Sequence, residues 1–414
     1  MEQIKLDGSI SLIESTEALR EDYVPEQVLY REEYIKNIIY SVFKPPLEDR
    51  GGSHMFIQGT TGTGKTLSVN YCMDVAESTV KEGTEPGLKI DENDLKIIYI
   101  NCRAHPTQSA VALELVKQTI SKDKKKGMPT YIYLEEFIEF IDRVYKHVII
   151  ILDEVDKILP KDKDDTLFYT LVRAREMKQL KNSYISLICI ANNPRAMEKL
   201  SDGTRSSFGI NVQFFPRYTK EQLIQILTDR AKKAFKEGVI EPRMIEEIAI
   251  HVSEALAGDC RKAISLLKIS AELADKNKEL KIVKSHLDGA KQIMEQNVLH
   301  KELLDMSLHE RVIFYAIGLY YDAEQKPPKF QILFKIYIKL CELIKRTPLQ
   351  ARQVRNHLKS LIKTDLIDEF MEGGKLYYQP LADPKTILAV TKQFFTIYQV
   401  QAERIEEILH VTTK

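Results

Sequence analysis

Two rhythms of apolar residues succeed one another along this chain, and they change over near residue 216. Before that point, short unbroken runs of Val, Ile, Leu and Phe alternate with longer stretches of helical spacing. Residues 54–58, 97–101, 148–152 and 185–191 read as strands. Helical spacing covers 31–43, with Pro45-Pro46 as the expected stop, then 65–78, 107–120, 131–145 and 165–180. Continuous β-branched strands separated by helices predict a parallel, doubly wound sheet covered on both faces, an α/β core. After Phe214-Phe215-Pro216 the strands stop. Residues 220–238, 242–257, 259–276 and 283–300 carry helical patterns and predict a small all-α unit. Further helices follow from about 305, and then a Gly373-Gly374 turn separates two short alternating runs, which reads as a hairpin. The expected domains are 1–218, 219–302 and 303–414.

Composition narrows the class. A chain of 414 residues is too long for one core, and 44% hydrophobic with 29% charged residues is the balance of a soluble globular protein. The apolar run 148–152 is far too short to cross a membrane, and the N-terminus lacks the apolar stretch of a signal peptide. Five cysteines, odd in number and without a Cys-x-x-Cys pair, argue against a disulfide framework or a structural zinc. A reducing, intracellular (cytoplasmic) location is therefore expected. Lys+Arg and Asp+Glu balance at 60 each, so only local charge can point to nucleic acid.

The first chemistry lies directly after the first strand. Gly59-Thr60-Thr61-Gly62-Thr63-Gly64-Lys65-Thr66 is a complete G-x-x-x-x-G-K-[ST] phosphate loop opening a helix. Its glycines let backbone N–H groups wrap an anion at a helix N-terminus. Lys65 adds charge toward β/γ-phosphates, and Thr66 offers a hydroxyl to Mg²⁺. The apolar strand 148–152 then delivers Asp153 and Glu154 at the C-terminal edge of the sheet, where open α/β sheets bind ligands. Asp153 is expected to hold Mg²⁺ through water, and Glu154 to orient the attacking water. Asp156 is expected to cap a helix or pair locally. ATP or ADP with Mg²⁺ is the implied ligand.

With these boxes, the segments Asp153-Glu154-Val155-Asp156, Ile188 to Asn193 and Gly258-Asp259-Cys260-Arg261-Lys262-Ala263 resemble AAA+ ATPases. Their order, together with Tyr23-Val24-Pro25-Glu26, Arg31-Glu32, Ile100 to Arg103 and Phe214 to Tyr218, is most similar to the archaeal origin-recognition and cell-division-cycle initiators, from about residue 20 to the C-terminus. The resemblance implies an AAA+ core, a helical lid and a winged-helix domain. It implies Asn192 between Glu154 and the γ-phosphate, and Arg261 as the lid arginine that reports it. It further implies nucleotide contacts from Tyr218 and Arg230 near the core–lid hinge, and an adenine pocket lined by Val24 and Pro25. One departure stands out. The family carries Leu-Asp-Pro-Arg before a Ser-Ser pair, but here the arginine position falls on Gly203, with Arg205 two residues later. An arginine finger toward a neighbouring subunit is not expected from that pattern.

Local charge points to DNA at the other end of the chain. Between Lys326 and Lys363 lie ten basic residues and a single acid, Glu342. Val354, Leu358, Leu361 and Ile362 share one helical face, leaving Arg352, Gln353, Arg355, Asn356 and Lys359 on the other. Arg, Asn and Gln are the side chains able to read base edges in a major groove. With Arg346 in the preceding turn and Gly373, Gly374 and Lys375 at a wing tip, this predicts a DNA-binding winged helix. The resemblance places a second DNA contact near the basic loop of Lys124, Lys125 and Lys126.

The combined expectation is a replication initiator that binds double-stranded origin DNA, with ATP/ADP as a switch, slow hydrolysis, and a monomer in solution beside the nucleoid. A paralogous initiator and the replicative helicase are the implied partners. A clamp-loader-like ATPase and a nucleotide-bound regulator or repressor are the alternatives.

Overall fold

The computed structural model describes residues 11–20, 23–83, 87–124, 126–159, 164–209 and 211–396. Its contacts divide the chain into two units, Met1–Val283 and Lys284–Lys414.

The first unit is built on five parallel strands: β1 (His54–Gln58), β2 (Leu95–Asn101), β3 (His147–Asp153), β4 (Tyr184–Ala191) and β5 (Val212–Phe214), in the order β2-β3-β4-β1-β5. β3 is buried at every position, as its uninterrupted apolar run requires. Its residues alternate between two cores. Ile150 and Leu152 pack with α4 (Gln108–Thr119), α5 (Thr130–Val144) and α6 (Thr166–Arg173) on one face. Ile149 and Ile151 pack with α1 (Glu32–Ile38) and α3 (Lys65–Glu82) on the other. Each buried Ile or Leu contributes roughly 1.5–3 kcal/mol of apolar transfer, so this sheet fixes the strand ends rigidly.

Two expectations about boundaries need correcting. Pro45-Pro46 do not stop the first helix. After α1 the chain passes through a wide π turn at Ile39–Phe43 and restarts as α2 (Lys44–Leu47), with proline in its first turn. Prolines there sacrifice no helical N–H bond, because first-turn donors have no partner in any case. The helix expected at 165–180 ends at Arg173, and a further short helix, α7 (Asp202–Phe208), precedes β5. β5 itself has only three residues and was hidden in the run to Pro216.

Three lid helices follow in the same unit: α8 (Lys220–Ala234), α9 (Pro242–Ala255) and α10 (Cys260–Lys276). Thr219 starts α8 with a reciprocal box to Gln222, and the Asp259 carboxylate caps α10 by accepting from Arg261 N and Lys262 N.

The second unit comprises α11 (Lys284–Asp305), α12 (Leu308–Glu324), α13 (Phe330–Leu343), α14 (Ala351–Lys363), the antiparallel hairpin β6 (Ile367–Glu372) and β7 (Lys375–Pro380), and α15 (Pro384–Thr396). The helix expected at 283–300 is α11, which groups here and packs against α15. α12 is buried without a break from Val312 to Tyr320 and forms the centre of a core shared with α13, α14 and α15. Helix, turn, helix and two-stranded wing make this unit a winged helix.

Candidate functional site

The C-terminal edge of the sheet carries the phosphate loop. Gly62 (φ +70°) and Gly64 (φ +85°) adopt left-handed backbone that favours glycine, and both are crowded, Gly62 by the lid and Gly64 by Tyr218 just before it. A Cβ on Gly62 would meet Asp259 Oδ1, and one on Gly64 would lie 2.6 Å from the Tyr218 hydroxyl. Lys65 opens α3 nearly buried, its ammonium donating to Gly59 O at 3.0 Å and Thr60 O at 2.7 Å. Burial lowers its pKa to about 8, against the opposing pull of Asp153 and with a further push from Arg261. Thr61 Oγ1 donates to Asp259 Oδ2, and Thr63 Oγ1 to Thr60 O. Lid and loop are also joined along the backbone, where Cys260 N donates to Gly62 O at 3.2 Å.

Asp153 is buried where β3 ends. Thr66 Oγ1 and Tyr99 Oη both donate to its Oδ2 at 2.8 Å, and Glu154 N donates to its Oδ1 at 2.7 Å. Burial and the Asp153 charge push the Tyr99 phenol well above its ordinary range. Tyr99 lies on β2, whose Asn101 pairs in register with Asp153, so this residue comes from strand alignment that no local motif announces. Glu154 follows with φ +53°, a conformation that costs a residue with a side chain about 1–2 kcal/mol.

Among the described residues, Asp156 neither caps a helix through its side chain nor makes an ion pair. Its carboxylate accepts from Asn192 N at 2.5 Å and Asn193 N at 3.0 Å, tying the end of β4 to the Asp153-Glu154 turn. The backbone of Asn192 is thereby fixed at the end of β4.

These groups surround a cavity of 410 Å³ whose lining includes Gly62, Gly64, Lys65, Thr66, Asp153, Glu154, Asn192, Tyr218, Arg230 and Arg261, with Val24 and Pro25 along its apolar wall. Arg230 is buried. It donates to Ala18 O at 3.0 Å and Tyr23 O at 3.4 Å and lies 4.4 Å from the Tyr23 ring centroid, so it also anchors the N-terminal segment to the lid. Burial lowers its pKa. Arg31, read from the sequence only as part of the family's opening segment, is fully buried against the loop: Nε donates to Thr63 O at 2.9 Å.

The residues fit a Mg-nucleotide. The glycine cradle would be filled by side chains, the Lys65 ammonium sits among the loop carbonyls, and the Asn70 amide oxygen, which lines the cavity, is buried without a partner among the described residues. Thr66 and Asp153 together offer the hard oxygens a magnesium ion takes.

In α7, Arg205 pairs with Asp202 of its own helix, and Gly203 O accepts from Arg173 Nη2 at 3.0 Å.

In the second unit, Val354, Leu358 and Leu361 are buried and Ile362 packs partly buried against them, as predicted. Arg352, Gln353, Arg355, Asn356 and Lys359 are exposed, as are Arg346, Gly373, Gly374 and Lys375. Gln353 has its amide oxygen engaged by Gln350 N in a capping box, and the Arg355 guanidinium lies 3.9 Å from the Phe330 ring centroid. β6 exposes Asp368, Glu369 and Glu372, three carboxylates just outside the stretch whose charge drew attention. In the basic loop, Lys124 donates to both carboxylate oxygens of Glu136 at 2.8 and 2.6 Å; the partner sits twelve residues away on α5, beyond a local reading. Lys126 is exposed, and Lys125 lies outside the described residues.

Known proteins match this arrangement. Residues 48–195 match the AAA domain family, and residues 224–292 match the Cdc6 AAA+ ATPase-type lid domain. The structure is similar to the Aeropyrum pernix ORC1 protein, solved in complex with DNA, with a TM-score of 0.75 and 23% identity over 95% of this chain and all (100%) of that one. It is also similar to the Aeropyrum pernix ORC2 protein, solved with ADPNP and ADP, at a TM-score of 0.58 and 20% identity over 94% of this chain and 100% of that one. The ORC1-type DNA replication protein of Thermococcus onnurineus is 30% identical over 86% of this chain and 84% of its own length. The ORC1-type DNA replication protein 1 of Archaeoglobus fulgidus is 30% identical over 86% and 83%. With the phosphate loop, the capped lid arginine and the winged helix in the same order, the chain belongs to the archaeal ORC1/Cdc6 family of AAA+ replication proteins.

Proposed function

We propose that this protein binds duplex origin DNA to initiate replication and that ATP or ADP in the 410 Å³ cavity switches its grip. Labour divides between an AAA+ core (1–218), a lid (219–302) and a winged helix (303–414), with α11 as the connecting helix. The observation that carries the reading is that core and lid build one phosphate site: Gly62 touches Asp259, and Lys65, Asn192 and Arg261 line the same cavity.

In that site Lys65 exchanges its loop carbonyls for phosphate oxygens. Bound Mg²⁺, held by Thr66 and Asp153, supplies charge neutralisation. Glu154 orients water for attack, its backbone N–H held by the Asp153 carboxylate. Asn192 and Arg261 meet the γ-phosphate, so its loss releases the lid. Tyr218 and Arg230 close the adenine side with Val24 and Pro25. Turnover is slow, and the nucleotide state rather than flux is the output.

On the DNA side, Arg352, Arg355, Asn356 and Lys359 meet the groove, with Gln353 partly committed to its cap. Arg346 and the hairpin tip at Gly373, Gly374 and Lys375 approach phosphates. The carboxylates of β6 confine that approach to the tip. The basic winged helix disfavours a clamp-loader-like role. The pairing of Arg205 within α7 favours a protein that acts first as a monomer and meets a paralogous initiator or helicase on DNA. Among the described residues, no helix is long and apolar enough to cross a membrane.

The test is a footprint on fragmented genomic duplex at fixed salt, with ATP, with ADP and in an Arg261→Ala variant. A discrete protected site whose extent changes with nucleotide supports the switch. Identical footprints in all three would refute it.

A further inference from the structure

The geometry points to Arg31 as a positioning residue that pre-sets the phosphate loop before nucleotide arrives; this rests on the nucleotide reading above. Arg31 is 1% exposed, the largest fully buried side chain in the protein's described residues. Its three acceptors are all main-chain carbonyls: Nε donates to Thr63 O at 2.9 Å, Nη1 to Tyr30 O at 2.9 Å and Nη2 to Pro216 O at 2.8 Å. Aromatic faces hold the guanidinium in place, with the Tyr218 ring centroid at 3.9 Å, Tyr34 at 5.4 Å and Phe215 at 5.7 Å.

The Thr63 bond matters because a peptide unit is planar and trans, so its C=O and N–H point in opposite directions. Drawing the Thr63 carbonyl onto Arg31 turns the Gly64 N–H the other way. Gly64 lines the cavity and leads into α3, so that N–H is aimed to where an anion sits at the helix start. A hydrogen bond to the carbonyl also polarises the peptide and strengthens its N–H as a donor. The Pro216 bond fixes the chain two residues before Tyr218, whose hydroxyl crowds Gly64 from the lid side. One planar fork thus sets the loop and the connection to the lid together. A lysine ammonium, a single point of charge, cannot span three diverging carbonyls.

The experiment uses full-length Arg31→Lys and Arg31→Gln. Calorimetry measures ADP affinity and, by competition, adenosine affinity; amide exchange is measured on the nucleotide-free protein. The expected result is an ADP affinity lower by about tenfold or more, an adenosine affinity that falls by much less, and faster exchange at Thr63–Lys65 and Arg217–Tyr218. ADP affinity equal to wild type, or equal losses for ADP and adenosine, would overturn the assignment. So would loss of cooperative unfolding in both variants, because Arg31 would then hold the fold rather than the loop. Wild-type protein that binds neither ADP nor ATP would sink the nucleotide reading itself, and that result is read before any variant is made.

Discussion

Gly62 of the phosphate loop lies against Asp259 of the lid so closely that a Cβ on Gly62 would stand 1.8 Å from Asp259 Oδ1. The same carboxylate accepts from Arg261 N and Lys262 N, so the loop and the start of α10 share one anchor. Gly62→Ala is expected to force the two apart. Left-handed strain costs about 1–2 kcal/mol of stability, and ADP affinity should fall by about tenfold as the lid is displaced. Denaturant unfolding and calorimetry measure the two effects; unchanged affinity would mean that the lid is not seated through this contact.

In the proposed mechanism Glu154 acts on water and does not hold the fold. Glu154→Gln should bind ATP as tightly as wild type and lose hydrolysis by roughly a hundredfold or more. A release assay for phosphate under single turnover decides this. Hydrolysis at the wild-type rate would remove Glu154 from the mechanism.

Asp156 holds two backbone amides at the end of β4. Asp156→Ala leaves both donors without an acceptor and should cost about 1–3 kcal/mol in urea unfolding. Because Asn192 is one of the two residues, turnover should fall along with stability, whereas nucleotide affinity changes little. A variant with lowered stability and wild-type turnover would separate Asp156 from the site.

His54 begins β1 with its Nε2 against Val172 O, and burial lowers its pKa from 6.5 to about 4. As pH falls below 6.5 the unfolded chain binds a proton that the folded chain refuses until about 4. Stability therefore drops across that window, by roughly 1 kcal/mol per pH unit from this group. His54→Gln keeps a polar side chain and should flatten that part of the pH profile in denaturant titrations. An unaltered slope would show that other groups cause it.

Lys359 is exposed on α14, whereas Lys124 is paired with Glu136. Lys359→Ala should reduce the slope of log affinity against log salt for duplex DNA by about 1, and Lys124→Ala should leave it unchanged. A salt slope insensitive to Lys359 but changed by Lys124 would move the phosphate contact from α14 to the loop.

Much of this site could be read from the chain because its chemistry is local. Gly59 to Thr66 and Asp153-Glu154 each follow an apolar strand, and α14 carries its buried and exposed residues at helical spacing. The contacts that escaped depend on chain brought from a distance. Asp156 met amides of β4, Tyr99 met Asp153 through strand register, and Lys124 met a carboxylate on α5. β5 was missed because three residues give no rhythm, and the Pro45-Pro46 pair was misread because a π turn lets the helix restart.

The bonds of Arg31 have a consequence for how this sequence can drift. Carbonyl oxygens are present whatever side chains occupy positions 30, 63 and 216, so those positions can vary without breaking the contacts. No substitution elsewhere can restore them once the guanidinium is gone. Arg31 should therefore stay fixed, and only its contacts with the rings of Tyr34, Phe215 and Tyr218 can leave a trace of paired change.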